Sequence, residues 1–336
     1  MRILFNIIFS AILAIGLVGF WALFLNLWKP KKKWPAWVGY IIIIGAWFAA
    51  IRYYILNQVD LYGTMYYPLM NMFRTESYGF LFGVFLAIPV FIILSLLYWT
   101  INKIWSKTPE ENRTGRRAFF RTAATIVPLA TIGGSSYAAF AGQQELVVTH
   151  ESFGYTNLPP GLKNYKIVQL SDIHIGPSID LDDFDEILKL ALLQKPNRVV
   201  ITGDLIDKLA WLPQVCERLT TFAKQIPDGV DFILGNHEYH HDVNKVLDSL
   251  KRNTPMNILV NSNIQIMGGK QPVYIAGVAY DNDREKEKRE AMIDKALSGI
   301  PDYAFVILLA HHPEFFEESI ERKIPLTLSG DRKSVV

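Results

Sequence analysis

The chain has 336 residues, a formal net charge of +2 and a hydrophobic content of 50%. Proteins that bind nucleic acids usually have an excess of basic residues, and this chain is near neutral, so the composition predicts no nucleic-acid partner. The one cysteine, Cys216, excludes an intramolecular disulfide and any metal site built from cysteines. These averages combine two different parts, because apolar runs dominate up to about residue 141 and the remainder has the composition of a soluble α/β domain.

Four apolar segments predict a helical membrane region at residues 1–142, with spans at 3–28, 37–56, 80–100 and 122–142. A helix needs about 20 apolar residues to cross the hydrocarbon core of a bilayer. The fourth segment is the weakest of the set, since it is rich in Ala, Gly, Ser and Thr. The pattern therefore predicts a multi-pass protein of the plasma or inner membrane, in contact with the lipid bilayer.

The basic residues of the loops orient these predicted spans. The loop after the first span is dense in lysine, and the loop at 101–121 holds six Lys and Arg residues, whereas the loop at 57–78 holds one. Because Lys and Arg mark the cytoplasmic side, the first and third loops are predicted inside and the N-terminus outside. The chain after residue 142 is then predicted on the extracytoplasmic face.

The segment 115–121 also resembles a twin-arginine export signal, through Arg116 and Arg117. Ala139-Phe140-Ala141 has the small-residue pattern of a cleavage site. The alternative is that these arginines are simply anchors at the cytoplasmic surface. Both interpretations send the following domain across the membrane.

After a linker at 143–164, the pattern alternates between strands and helices. The predicted strands are 165–170, 198–201, 230–234 and 304–309, and the predicted helices are 181–193, 212–225 and 243–252. Asp172, Asp204 and Asn236 each come just after a strand, at intervals of 32 residues, which is about one βαβ unit. We expect them to meet at the carboxyl edge of a sheet, where open α/β folds bind ligands.

That edge gathers oxygen and imidazole groups of the kinds that bind metals. The predicted set is Asp172, His174, Asp204, Asn236, His237 and His311. Such donors without thiolate favour Mn, Fe or Zn over a pure Mg or Ca site. One carboxylate shared by two ions is the usual arrangement for phosphoester chemistry, so the predicted cofactor is two divalent metal ions of unassigned identity.

Four ordered motifs then carry a resemblance. They are D-x-H at 172–174, G-D-x-x-D at 203–207, G-N-H-E at 235–238 and L-A-H-x-P at 309–313. Over residues 165–330 the chain resembles the calcineurin-like metallophosphoesterase superfamily, and within it the membrane-attached, YkuE-like bacterial members. The resemblance implies an α/β metallophosphoesterase domain, which is a β-sandwich flanked by helices. In the sequence this domain follows the predicted α-helical transmembrane region of about four spans.

The resemblance also implies roles for the predicted set. Asp172 and His174 would bind the first metal, Asp204 would bridge both, and Asn236 and His311 would bind the second. His237 would be the catalytic residue, a proton donor or charge stabiliser at the scissile phosphate. The implied reaction is hydrolysis of a phosphodiester, phosphomonoester or pyrophosphate bond by metal-activated water.

Neighbouring polar residues have simpler interpretations. Asp207 and Glu238 are predicted to support the ligands or to cap loops, and His312 to be a neighbour of His311. His240 and His241 are predicted to be solvated loop histidines.

The chain departs from the family after Gly330. A fifth motif, G-H-x-H, would supply one further histidine to each metal, but residues 331–336 read DRKSVV and the chain stops. Back-translated, these residues match one frame of a widely used sequencing adapter. We expect 331–336 to be a non-native tail, the domain to be C-terminally incomplete, and the natural protein to have His where Asp331 stands. The chain as printed is expected to hold two metals poorly.

Three functional hypotheses follow. The leading one is a membrane-anchored metallophosphoesterase acting outside the cytoplasm, with a lipid-linked substrate suggested only by the membrane region. The second is a small-molecule or nucleotide phosphodiesterase that is merely tethered to the membrane. The third is a non-catalytic membrane sensor or scaffold with a degenerate phosphoesterase domain. The oligomeric state stays open.

Overall fold

The computed structural model describes residues 45, 48, 64, 66–104, 110–141, 146–176, 179–280 and 285–331. The chain divides into two compact units, Met1–Glu145 and Leu146–Val336. The first two predicted spans, 3–28 and 37–56, lie outside the described residues, apart from positions 45 and 48, which are helical.

The described part of the first unit is a pair of long helices, α1 (Tyr67–Ile104) and α2 (Glu110–Ala141). The helices run antiparallel, since Gly79 near the start of α1 packs on Ser136 near the end of α2. The Ser135 hydroxyl donates a hydrogen bond of 2.6 Å to the Gly79 carbonyl. At Gly83 an added Cβ would lie 2.6 Å from the Cα of Ile132, so only glycine permits this approach. Close packing through small residues is typical of membrane helices.

One helix in the described part of the chain, Leu69–Ile104, is long and apolar enough to cross a membrane. The third predicted span, 80–100, lies inside it. The fourth, 122–142, falls largely within α2, which is a helix but is not apolar enough to count as a second candidate span. The prediction of about four spans is therefore supported for one helix only.

The helices also extend into segments predicted as loops. Helix α1 begins at Tyr67, within the predicted loop 57–78, and α2 begins at Glu110, within the predicted loop 101–121. The reason is that hydropathy marks the apolar part of a helix, whereas backbone hydrogen bonding continues into polar flanks.

The described residues of the second unit form two four-stranded sheets. The first consists of β1 (Ile167–Leu170), β2 (Arg198–Thr202), β3 (Val230–Ile233) and β4 (Asn257–Ile258), all parallel and in that order. The second consists of β5 (Ser262–Met267), β6 (Val273–Gly277), β7 (Phe305–Ala310) and β8 (Leu326–Ser329). In it β5 is antiparallel to β6, and β6, β7 and β8 are parallel. The sequence analysis missed β4, β5 and β6.

Six helices accompany these sheets: α3 (Leu181–Leu193), α4 (Leu212–Ala223), α5 (Asn236–His240), α6 (Val243–Asn253), α7 (Lys286–Leu297) and α8 (Phe316–Glu321). The prediction of a helix at 181–193 is confirmed. Its start is set by Asp180, whose side chain accepts hydrogen bonds of 2.9 and 3.0 Å from the backbone N–H groups of Asp182 and Asp183. Such capping satisfies donors that the first helical turn leaves unpaired.

The two sheets pack face to face. Val200 and Ile233 of the first sheet share one buried cluster with Ile275 and Ile307 of the second. Because side chains alternate along a strand, the intervening residues of β6 and β7 face outward, where they pack on Ile293 and other residues of α7. The result is the sandwich with flanking helices that the family resemblance implied.

Strand register brings the polar loops to one edge. Leu170 pairs with Ile201, and Thr202 pairs with Ile233, so the segments after β1, β2 and β3 begin side by side. In the second sheet Ala310 pairs with Ser329, which places His311 beside Gly330.

Candidate metal centre

The loops after β1 and β2 have an unusual backbone at the predicted ligands. Asp172, His174 and Asp204 have φ values of 53°, 53° and 54°. Residues other than glycine rarely adopt this left-handed region, and such strain concentrates at functional sites. The two loops hold each other, because His174 N–H donates to the Asp204 carbonyl at 2.9 Å and Asp172 N–H donates to the Gly203 carbonyl at 3.2 Å.

Asp204 lies at the centre of the site and is only 2% exposed. Its Oδ1 accepts a hydrogen bond of 2.8 Å from the backbone N–H of His237. Its Oδ2 faces the Nε2 atoms of His311 at 3.4 Å, His174 at 3.6 Å and His237 at 4.0 Å. Burial alone would raise the pKa of Asp204, but His311 and then His237 hold it below its ordinary value. The carboxylate therefore stays charged.

His311 is oriented by the strand beside it. Its Nδ1–H donates to the Thr202 carbonyl at 2.7 Å, which leaves Nε2 facing Asn236 Oδ1 at 2.9 Å. Hydrogen bonding of the second ring nitrogen is the usual way in which a ligating histidine is held. Burial opposes the charged imidazole, yet Asp204 raises the pKa of His311 to about 9. In the metal-free chain the proton on Nε2 thus occupies the space between His311, Asn236 and Asp204.

These separations fit divalent metal ions. Two ligand atoms about 2.1 Å from one ion lie roughly 3–3.5 Å apart. The pairs formed by His311 with Asn236 and Asp204, at 2.9 and 3.4 Å, match this geometry. A second group shares Asp204, because the donor atoms of Asp172, His174 and Asp204 lie within 4.8 Å of one another. Carboxylate, amide and imidazole donors suit the ions that the sequence predicted.

Asp172 is also tied to the end of the chain. Its Oδ2 accepts hydrogen bonds from the Ser171 hydroxyl at 2.5 Å and from the backbone N–H of Asp331 at 3.0 Å. Asp331 Oδ2 in turn lies 3.8 Å from His312 Nδ1. Position 331 therefore lies at the cluster, between the predicted ligand Asp172 and His312, the neighbour of His311.

Asp207 supports the predicted ligands, which is one of the two roles that the sequence predicted for it. Its Oδ1 accepts a hydrogen bond of 2.6 Å from His237 Nδ1, and it lies 3.4 Å from His174 Nδ1 and 3.7 Å from His241 Nε2. Burial would raise the pKa of Asp207, but His174 and His237 hold it at about 2. The hydrogen bond to Asp207 is the main cause that raises the pKa of His174.

The prediction for the two loop histidines is half correct. His240 is exposed, as expected, but the His241 side chain is only 13% exposed because it turns toward Asp207. The sequence contained a signal for this, since His241 follows His237 by four residues, and residues four apart lie on the same face of a helical turn.

The prediction that Glu238 caps a loop is confirmed. Its side chain is fully buried and accepts three backbone hydrogen bonds, from Gly235 at 2.8 Å, Asp204 at 3.0 Å and Leu205 at 2.8 Å. Burial raises the pKa of this carboxyl. Glu238 thus joins the loop after β2 to the loop after β3. The close approach of these loops requires glycine at 203, where φ is +89° and an added Cβ would lie 2.7 Å from His311 Nδ1.

Comparison with known proteins places this geometry in a family. Residues 165–330 match the sequence model described as calcineurin-like phosphoesterase. This segment is a calcineurin-like phosphoesterase domain. The phosphoesterase domain carries all six predicted ligand and catalytic residues.

Three relatives illustrate the range of similar proteins. An uncharacterized metallophosphoesterase of Campylobacter jejuni is 29% identical over 67% of this chain and 56% of its own. One of Aquifex aeolicus is 32% identical over 52% of this chain and 64% of its own. A zebrafish protein named transmembrane protein with metallophosphoesterase domain is 25% identical over 74% of this chain and 58% of its own. The chain thus spans between about half and two thirds of the lengths of these relatives.

Proposed function

We propose that this protein is a membrane-attached phosphoesterase that uses two divalent ions to hydrolyse a phosphodiester, phosphomonoester or pyrophosphate bond. The observation that supports the proposal is the convergence of three imidazoles on the buried Asp204 carboxylate. This convergence occurs at the carboxyl edge of the first sheet, within a phosphoesterase domain.

Asp204 is the shared ligand in this proposal. Asp172 and His174 would complete one ion's coordination, and Asn236 and His311 the other's, in keeping with the distances to each side of Asp204. Divalent ions in such a site lower the pKa of water and neutralise charge on phosphoryl oxygens.

His237 is the group proposed to act on the leaving oxygen. Its Nδ1–H is held by Asp207 at 2.6 Å, which directs Nε2 toward Asp204 Oδ2, 4.0 Å away. In this orientation an Nε2–H group would face the reacting phosphate and could donate a proton to the leaving oxygen. Positioned acid groups of this kind contribute roughly 10²–10⁴-fold to rate.

We further infer that the domain acts on the extracytoplasmic face, in the manner of the membrane-attached, YkuE-like group. Support comes from helix α1, from the Lys and Arg bias of the loops, and from the zebrafish relative's name.

The test is metal-dependent hydrolysis by the full chain in detergent. Bound metal is removed, Mn²⁺, Fe²⁺ or Zn²⁺ is restored, and turnover of bis(p-nitrophenyl) phosphate is measured. Asp204→Asn should lower turnover by at least about 100-fold. The control is Asp302→Asn, which changes an exposed aspartate in the loop before β7 and should leave turnover unchanged. If no metal restores turnover either to the unsubstituted chain or to its Asp331→His variant, which carries the histidine expected at that position, the proposal fails and a non-catalytic sensor or scaffold is favoured.

A further inference from the structure

A run of aromatic rings extends from the metal cluster, and the proposed reaction does not use it. It consists of Tyr239, Tyr280 and His312, and we refer to it as the aromatic wall. The Tyr280 ring lies 6.4 Å from the His311 ring and 5.1 Å from the His312 ring, measured between centroids. The Tyr239 ring follows at 5.8 Å from Tyr280. The wall is therefore continuous with a predicted ligand of the second ion.

Both sheets contribute to this placement. Tyr239 lies on α5, two residues after His237, in the segment that follows β3. Tyr280 lies three residues beyond the end of β6, which runs parallel to β7, and β7 leads into His311 and His312. The carboxyl ends of parallel strands meet at one edge. The wall therefore lies beside the place where a phosphate would bind.

The rings differ in exposure along the wall. His312 is buried and tilts by 33° from the plane of Tyr280, which is half-buried. Tyr239 is 41% exposed, so part of its ring is open to solvent. A buried inner ring and an open outer ring form a flank along which a flat group attached to phosphate could lie.

We propose that the aromatic wall is a substrate subsite that stacks against a planar aromatic group linked to the phosphate, such as a nucleobase. The inference rests on the proposed function. It adds a substrate class that the metal cluster alone does not specify. Stacking suits this wall because aromatic rings attract one another through offset and edge contacts, and because every nucleobase has a π face. A lipid chain would instead require a continuous apolar groove, whereas these three rings carry polar atoms.

The experiment compares two ligands that differ only by the base. Phosphorothioate analogues of adenosine 5′-monophosphate and ribose 5-phosphate, which resist hydrolysis, are titrated into the metal-loaded full chain by calorimetry. The adenosine ligand should bind roughly 5- to 100-fold more tightly, the usual range for stacking of a base on an aromatic side chain. Tyr239→Ala and Tyr280→Ala should each bring this ratio toward unity.

Matched variants separate stacking from general damage. Tyr239→Phe keeps the ring and should keep the ratio. Tyr303→Ala removes a tyrosine that is 64% exposed in the loop before β7 and should change nothing. Affinity for the ribose ligand should stay the same in every variant, which shows that the phosphate site remains folded.

Three results would overturn the inference: equal affinity of the unsubstituted chain for the two ligands, no binding of either, or a ratio unchanged in both alanine variants. Because binding is measured without turnover, the outcome is independent of the hydrolysis assay. A chain that stacks the base but hydrolyses no phosphoester would refute the proposed function and leave the subsite standing.

Discussion

Glu238→Gln is expected to destabilise the phosphoesterase domain while changing a single atom. The carboxylate accepts two backbone hydrogen bonds at Oε2, from Gly235 and Asp204, and one at Oε1, from Leu205. A glutamine has one acceptor oxygen, so in either orientation its NH₂ group must face at least one buried N–H donor. The loops that carry Asp204 and His237 would then lose part of their connection.

The magnitude follows from the number of groups left without a partner. In the more favourable orientation the glutamine oxygen still accepts from two backbone N–H groups. The third backbone N–H and the amide hydrogen that faces it are then left without partners, and each such buried group costs about 1–3 kcal/mol. We expect a loss of about 3 kcal/mol of unfolding free energy. For a unit of the size of Leu146–Val336, this corresponds to a fall in Tm of about 6–12 °C.

The assay uses Cys216, the one cysteine of the chain, which is buried in α4. The full chain is heated in steps, and the thiol is labelled at each temperature, so labelling reports unfolding of this unit and not of the membrane helices. Glu217→Gln, an exposed glutamate on the same helix as Cys216, is the matched control. If Glu238→Gln unfolds within about 2 °C of that control, the three hydrogen bonds do not carry the stability assigned to them.

Three further predictions concern the site and the membrane. Asp204→Asn should remove more bound metal than any other single change, whereas His237→Ala should lower kcat by roughly 10²–10⁴-fold at nearly unchanged metal content. Metal analysis and steady-state kinetics measure the two effects. If His237→Ala emptied the site and Asp204→Asn left the metal bound, the roles assigned to these two residues would be wrong. The folded-state pKa of His311 is raised from 6.5 to about 9, so its stabilising charge is fully present below pH 6.5 and is lost as pH rises through 9. Circular dichroism melts of metal-free protein should therefore show a loss of about 3 kcal/mol across that range, and His311→Asn should abolish it. A reporter active only outside the cytoplasm should be on when fused after Gly142 and off when fused after Lys33; the opposite result would overturn the orientation argument.

In the second unit, the local sequence pattern was sufficient to predict several elements. The helix at 181–193 was predictable because an aspartate cap precedes a periodic apolar face, and both signals are local. Strands β1, β2, β3 and β7 were found to within about two residues, because buried parallel strands form uninterrupted apolar runs. Strands β4 to β6 were missed because they are short or carry polar residues, such as Asn263 and Gln265 in β5, so that no apolar run distinguishes them.

In the first unit, hydropathy located the apolar centre of α1 but not its ends, which are set by hydrogen bonding and by packing. The contact of Gly79 and Gly83 with Ser135 joins residues more than fifty positions apart. Nothing in either local segment indicates which helix will be its partner.

For the metal centre, the sequence by itself determined which donor types follow which strands. Asp172, Asp204 and Asn236 had to share one edge, because parallel strands align their carboxyl ends. Only the tertiary structure decided which atoms face each other: that Asp207 orients His237 and His174, and that Tyr280 joins the site from the second sheet. The physical reason is that these contacts depend on strand register, on left-handed loop residues and on the packing of two sheets, and none of these is encoded in the spacing of residues along a single segment.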